Sequence, residues 1–397
     1  MNVRFLFSSF LFLFVIFIGQ AENFHLNESV YSKSMQMNKV FLKDLIVPSL
    51  VQTNSKLESP LVSAHNAVLL DQSSSRILFE KNAHEKTSIA SLTKVMTAIV
   101  AIEYGELDDK VETSARAIHT SGSSIYLQKD EKMTLEDLLY GLMLRSGNDA
   151  AVAIAEHIGG SVEGFVYLMN EKAAYLGLSN THFANPHGLE DEEHYSTAYD
   201  VAKIMQYAMN NEEFKKITSS KSYHSKNRTY QWNNKNKLLK IYEEFCIGGK
   251  TGFTKRAGRT LVTSSEKENF QVIAVTLNAP DDWNDHMSLY NWGFKHYEPF
   301  KLVSKGTKKF KVANDEEIEG IIQEDIVFPL QENEIEGINE QIILNDDQNN
   351  LEGKLSFSIN ENVLATVNFE LVKKEDKSFY EQFLSYLKKL VQVNDDD

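Results

Sequence analysis

The sequence predicts an α+β fold in which helices pack on an antiparallel sheet, followed by a small all-β domain. Three observations carry that expectation. Strand-like runs stand at both ends of the region 61–298, and the stretch between them has helical spacing. After Glu298 that spacing gives way to short apolar runs between acidic turns. The 397 residues suffice for two domains, one with a sizeable core. Hydrophobic residues at 42% and charged residues at 24% are ordinary for a folded chain and exclude wholesale disorder.

Taken in order, residues 1–21 carry Arg4, an apolar run over 5–18 and then Gly19-Gln20-Ala21. A basic start, an apolar centre and small residues at −3 and −1 predict a secretory signal cleaved near Ala21, with an uncleaved anchor as the alternative. Residues 22–60 read as a polar linker with a short helix around 38–46. "NAVLLD" and "RILFEK", joined by "QSSS", predict a hairpin. "IASLTKVMTAIVAIE" (89–103) follows as an apolar helix. "TLEDLLYGLMLRSGNDAAVAIAEHI" (134–158) predicts two helices broken at Ser146-Gly147-Asn148, the first opened by a capping box of Thr134 and Asp137. A further helix is expected over 162–176. "YEEFCIGGK", "GRTLVTSSE" and "FQVIAVTLN" predict the strands that complete the sheet. Residues 299–373 form the expected small β-domain. In 374–397, Phe379, Phe383, Leu384, Leu387, Leu390 and Val391 share one helical stripe opposite Glu381, Ser385, Lys388 and Gln392. That predicts an amphipathic helix, docked on the β-domain or lying in a membrane interface.

The composition also excludes classes of function. With 41 basic against 56 acidic residues the net charge is −15, which argues against nucleic-acid binding. Cys246 is the single cysteine, so no internal disulfide and no multi-cysteine zinc site can form. The 11 histidines include no HExxH or comparable pair, and no metal or other cofactor is expected.

Lys94 is the only charge between Ala90 and Ile102. A buried ammonium without a partner is costly and tends to lose its proton. Ser91 lies three residues earlier, one helical turn away on the same face. The pair is either a core helix with a snorkelling lysine or a nucleophile with its base. Two further motifs follow, Ser146-Gly147-Asn148 and Lys250-Thr251-Gly252. Singly the first two mean little, because Ser-x-x-Lys recurs at Ser264 and Ser385, and Ser-x-Asn at Ser225 and Ser358. Lys-Thr-Gly occurs once. Order and context carry the weight: the serine opens an apolar helix, Ser146 sits in an interhelical break, and Lys250 ends a strand-like run.

The chemistry fits that order. A serine hydroxyl needs a base to attack an amide carbonyl, and a desolvated lysine can serve. Ser146 and Asn148 can relay protons and orient a substrate backbone. Lys250 and Thr251 offer a cation and a hydroxyl to a carboxylate, and Gly252 leaves an edge strand open to an extended peptide. The backbone N–H groups of Ser91 and Phe253 can form an oxyanion hole. Repulsion from Lys250 would help keep Lys94 neutral.

From 63 to 372 the sequence resembles the serine D-alanyl-D-alanine carboxypeptidases among the low-molecular-mass penicillin-binding proteins. The resemblance rests on the trio, which those proteins share with class A β-lactamases, and on "GSSIYLQKDEKMTLEDLLYGLMLRSGNDAAVAIAEHIGG", "NPHGL", "HYSTAYDVA" and "GGKTGFT" in family order. It implies a penicillin-binding/β-lactamase-like transpeptidase domain over 61–298, with Ser91 as acylated nucleophile and Lys94 as its base. Ser146 and Asn148 match the second catalytic element; Lys250, Thr251 and Gly252 match the carboxylate-binding strand. The implied substrates are peptidoglycan stem peptides, with β-lactams as covalent inhibitors, in an exported protein touching the membrane through its C-terminal helix. "NKNKLL", "GGKTGFTKRAGRTLV" and "PDDWNDH" resemble the spore-cortex type of endospore-forming Gram-positive bacteria. Arg259-Thr260 departs from other branches, where that stretch is often aromatic and small, and leaves substrate preference open. The alternatives are a β-lactamase, against which the acidic run 190–193 lacks a Glu-x-x-x-Asn spacing, and a catalytically silent wall-binding protein. His187 is expected to structure its loop, Asp200 to cap a helix or pair with a basic residue, and Cys246 to pack in the core.

Overall fold

The computed structural model describes residues 58–311, 317–344 and 352–372. The expected signal, most of the linker with its short helix, and the C-terminal helix lie outside the described residues. The rest divides into two compact units, one through Glu298 and one from Pro299.

The first unit is built on an antiparallel sheet in the order Ile77–Lys81, Asn66–Asp71, Phe270–Leu277, Gly258–Lys267, Cys246–Thr254. Its strands are apolar runs because both faces are covered. From Asn66–Asp71, Val68 and Leu70 enter the large core beneath the helical layer, whereas Leu69 packs with Leu289 and Tyr290. Phe270–Leu277 splits in the same way, with Ile273 and Val275 on one side and Val272 and Ala274 on the other. The helix Asp282–His296 lies on that second side. Period-two alternation between two apolar cores reads in sequence as a continuous hydrophobic strand.

At the centre of the helical layer, Thr93–Tyr104 is buried from Thr93 to Ala101, as an all-round apolar helix must be. Leu135–Arg145, Asn148–Gly159, Val162–Tyr175 and Ala198–Ala208 complete its main surroundings. The break at Ser146-Gly147 falls where the sequence puts it, with Ser146 in a left-handed conformation (φ +64°) that ends the first helix. Half of the expected capping box is present. Thr134 Oγ1 accepts from the Asp137 N–H at 3.0 Å, but the Asp137 carboxylate accepts from Tyr223 Oη instead of reaching back. The strand expected from Tyr242 begins at Cys246, because the preceding residues close the turn of the short helix Leu238–Ile241, with Tyr242 stacked on Tyr290 and Phe245 tilted against Phe294.

The second unit is an antiparallel sheet in the order Gly306–Lys311, Glu317–Ile322, Asn362–Leu371, Glu352–Ile359, Asn339–Leu344. Alongside it runs a ribbon of Glu298–Val303 with Ile326–Leu330. Phe310, Ile322, Phe328, Leu355, Phe357 and Phe369 fill its core. One helical turn, Glu332–Ile335, interrupts the otherwise all-β character. A capping box of Gln331 and Glu334 forms that turn without any apolar period to announce it.

Candidate active site

Ser91 does not sit inside the long helix but in the 3-10 turn Ala90–Leu92 that leads into it. Ala90 has φ +50°, so the chain swings through a left-handed residue before the helix starts. Lys94, on the first turn of Thr93–Tyr104, has no solvent exposure. Its Nζ lies 3.1 Å from Ser91 Oγ, 2.7 Å from Asn148 Oδ1 and 2.6 Å from the His187 carbonyl oxygen. Asn148, at the start of its helix, is held by Nδ2 donating to the Ser121 carbonyl (2.6 Å) and by its N–H donating to the Ser123 carbonyl (2.7 Å). Gly122 between them leaves room for that amide, since a Cβ there would sit 2.6 Å from Asn148 Nδ2.

Lys250 lies on the strand Cys246–Thr254, the edge of the sheet. It is almost wholly buried, and its Nζ donates to Ser146 Oγ at 3.1 Å and to the Thr251 carbonyl at 2.6 Å. Two groups therefore form directly, Ser91–Lys94–Asn148 and Ser146–Lys250. The backbone Ser146-Gly147-Asn148 joins them on one side, and Gly252 approaches the serine on the other. A Cβ at Gly252 would collide with Thr260 Oγ1 and come within 3.0 Å of Ser91 N, so only glycine lets the edge strand lie this close to the Ser91 turn. Thr251 is half-buried, and Phe253, a residue 66% exposed, stands opposite Arg259 in the ladder.

Electrostatics favours a neutral Lys94. Burial pushes its amine well below the usual lysine range, and the charges of Lys250 and Lys235 add to this. Lys250 is itself pushed down to about 7, by burial first and by Lys235 second. Asp149 opposes the shift at Lys94. Its carboxylate is spent on Ser124 Oγ (2.6 Å) and the N–H groups of Ile125 and Leu127 (3.1 Å each), so it shapes the loop beside the site.

With that geometry in place, comparison with known proteins becomes specific. Residues 52–281 match the profile described as Peptidase S11, D-alanyl-D-alanine carboxypeptidase. This chain belongs to that family. The D-alanyl-D-alanine carboxypeptidase DacF of Bacillus subtilis is 38% identical over 260 residues, 63% of this chain and 67% of the relative. DacC of Escherichia coli is 34% identical over 273 residues, 64% of this chain and 67% of the relative. Among solved structures, penicillin binding protein 5 from Haemophilus influenzae superposes with a TM-score of 0.69 at 28% identity, over 80% of this chain and 99% of that one.

Within this carboxypeptidase, several residues that serve the site carry no motif of their own. Lys235 donates to Ser123 Oγ at 3.1 Å, and its charge presses on both Lys94 and Lys250. Its block "NKNKLL" marked the region, but neither its spacing nor its type pointed to that charge. His187 structures its loop as expected, with Nδ1 accepting from the Leu189 N–H at 3.2 Å. Its carbonyl, invisible to any side-chain motif, is what Lys94 meets. Asp200 departs from its expected part. Thr197 caps that helix, and Asp200 accepts from Thr181 Oγ1 (2.7 Å) and the Asn180 N–H (3.2 Å), tying down a loop with no basic partner at hydrogen-bond distance among the described residues. Cys246 is buried and packs with Leu238, Leu239 and Leu261; burial pushes its thiol up to about 11, away from reactivity. Arg259 pairs with Asp282 and lies over the Trp283 ring at 5.6 Å. Among the described residues no group of histidine, cysteine and acidic side chains is arranged to hold a metal.

Proposed function

We propose that this carboxypeptidase removes the terminal D-alanine from peptidoglycan stem pentapeptides through an acyl-enzyme on Ser91. The observation that carries this reading is the set of partners around Lys94. A neutral amine has two N–H groups and one lone pair. The carbonyl oxygens of His187 and Asn148 can only accept, so they take both N–H groups, and the lone pair is left for the Ser91 hydroxyl at 3.1 Å. As Ser91 Oγ attacks the carbonyl carbon of the penultimate residue, its proton passes to Lys94. The N–H groups of Ser91 and Phe253 receive the oxyanion. Collapse breaks the peptide bond, and the departing amine of D-alanine takes up the proton that Lys94 had received, relayed by Ser146, which leaves Lys94 neutral again. Water then hydrolyses the ester and frees the shortened peptide. Lys250, as an ammonium, and Thr251 hold the terminal carboxylate, with Gly252 admitting the peptide along the strand edge.

A β-lactam presents a carboxylate and a strained amide to the same groups, so it acylates Ser91 as the peptide does. Treating the protein with penicillin and mapping the adduct by mass spectrometry places the added mass on the peptide containing Ser91. An adduct confined to another peptide would contradict the assignment.

Lys250 also sets a pH dependence. Below about pH 7 it is charged and can hold a carboxylate; above that it is not. In the free enzyme, kcat/KM for a carboxylate-ended peptide therefore falls as pH rises through about 7. Lys235→Met removes a repelling charge and moves that limb to higher pH. A limb that stays in place in Lys235→Met, or that appears equally with an ester lacking the carboxylate, would argue against this role.

The remaining parts follow the sequence reading: residues 1–21 as the export signal, 22–60 as linker, 61–298 as catalytic domain, 299–373 as β-domain and 374–397 as a membrane-contacting helix. Among the described residues no helix is long and apolar enough to cross a membrane. Exported protein should begin near residue 22 on N-terminal sequencing. If a form ending at Lys374 sediments with lipid vesicles as well as the full chain does, the C-terminal helix is not the contact. The blocks "NKNKLL", "GGKTGFTKRAGRTLV" and "PDDWNDH" support a cortex substrate, which a faster rate on cortex muropeptides than on vegetative ones would bear out.

A further inference from the structure

The shape of the nucleophile turn depends on a residue that touches neither Ser91 nor Lys94. The carbonyl of the left-handed Ala90 lies against Gly188, where a Cβ would collide with that oxygen. The same carbonyl accepts from Thr93 Oγ1 at 2.9 Å. Thr93 is fully buried, and its hydroxyl lies 2.7 Å from Nε2 of the buried His194. On the far side of the ring, Nδ1 accepts from the Ala184 N–H at 3.1 Å. That bond assigns the tautomer: the ring proton sits on Nε2 and is donated to Thr93 Oγ1, whose own proton goes on to the Ala90 carbonyl. Every donor has one acceptor, and the relay reads in one direction only. The Phe183 ring meets the imidazole edge-on at 5.7 Å.

We propose that His194 is a positioning residue for the acylation step, holding the Ala90–Leu92 turn through Thr93 so that Ser91 stays aimed at the substrate carbonyl. The proposal rests on the reading of Ser91 as nucleophile. The relay requires a neutral ring, because a proton on Nδ1 would oppose the Ala184 N–H. Burial pushes the imidazole down to about 4; Asp191 works against this, while His182 and Lys94 reinforce it, and His187 is a further neighbour. The ring is thus neutral throughout the range in which the enzyme would be assayed. The turn is braced from its other end by Thr260 Oγ1, which donates to the Ile89 carbonyl at 3.1 Å. Ser91 is accordingly clamped between the sheet, through Thr260 on the strand next to its edge, and the loop that supplies the His187 carbonyl.

The test compares acylation by a fluorescent penicillin in the full chain and in Thr93→Val, His194→Leu, their double variant and His194→Gln, with thermal midpoints measured alongside. Thr93→Val keeps the shape and loses the hydroxyl. A displaced nucleophile costs on the order of 10- to 100-fold, so the acylation constant should fall by that much while the dissociation constant of the preceding complex holds. The double variant should lose little more than either single one, since both break one relay. His194→Gln keeps a donor for Thr93 and should recover most of the rate; with Thr93→Val it carries the comparison should His194→Leu fail to fold. Acylation at the unaltered rate in Thr93→Val, or losses that add in the double variant, would overturn the proposal. A parent chain that penicillin does not acylate on Ser91 would overturn the underlying reading, and that failure is seen before any variant is made.

Discussion

Ser91→Ala abolishes both penicillin labelling and D-alanine release, and it leaves the fold in place. Loss of a serine nucleophile lowers turnover by on the order of 10⁶-fold. The structural cost is small, because among the described residues the only hydrogen bond of the Ser91 hydroxyl is with Lys94. Lys94 keeps its two carbonyl partners, at Asn148 and His187, in the variant. The measurement is gel labelling with a fluorescent penicillin beside a coupled D-alanine assay, with circular dichroism to show that the fold persists. Labelling that survives would move the nucleophile elsewhere.

Lys94→Ala is expected to retain the fold and to lose acylation by roughly 10²- to 10⁴-fold, the range typical of a positioned general base. Ala leaves a cavity at a fully buried position, so Lys94→Met is the cleaner variant: it keeps the volume and removes only the amine, a polar group that the interior disfavours. The two should lose acylation alike while differing in thermal midpoint. The pH dependence has a definite sign. A base must be neutral to act, and burial together with Lys250 and Lys235 lowers the pKa of Lys94, so on the proposed role acylation is available well below the usual lysine range and is lost as acid protonates the amine. Rates in Lys94→Met equal to those of the parent chain would refute its role as base.

How far the sequence could be read follows from the kind of signal each part leaves. The α+β class was legible because the sheet strands are apolar on both faces and the helices between them keep a clear period. The interhelical break was legible from Ser146-Gly147-Asn148, whose residue types suit a left-handed end and a fresh helix start. Less visible was the 3-10 turn at Ala90, since "IASLTK" has unbroken helical composition and the left-handed alanine is held not only by Thr93 within the segment but by Gly188 and Thr260 from outside it. The one-turn helix Glu332–Ile335 was hidden for the complementary reason, being too short to show a period.

In the site, the three motifs came together as their order suggested, because side chains do that work and side chains are what a sequence displays. Backbone groups leave no such trace. The His187 carbonyl was missed although its residue was noticed, and the remote charge of Lys235 was missed although its block was. His194 stood inside "HYSTAYDVA" with nothing to connect it, a hundred residues away, to the threonine between the serine and the lysine. Only the fold joins them.

The most direct test of the central claim is release of D-alanine from diacetyl-L-Lys-D-Ala-D-Ala by the protein without residues 1–21, measured with and without penicillin. Release that penicillin blocks, in step with a single adduct on Ser91, is the predicted result. No release from a protein that binds penicillin, or release that continues while Ser91 is occupied, would contradict it.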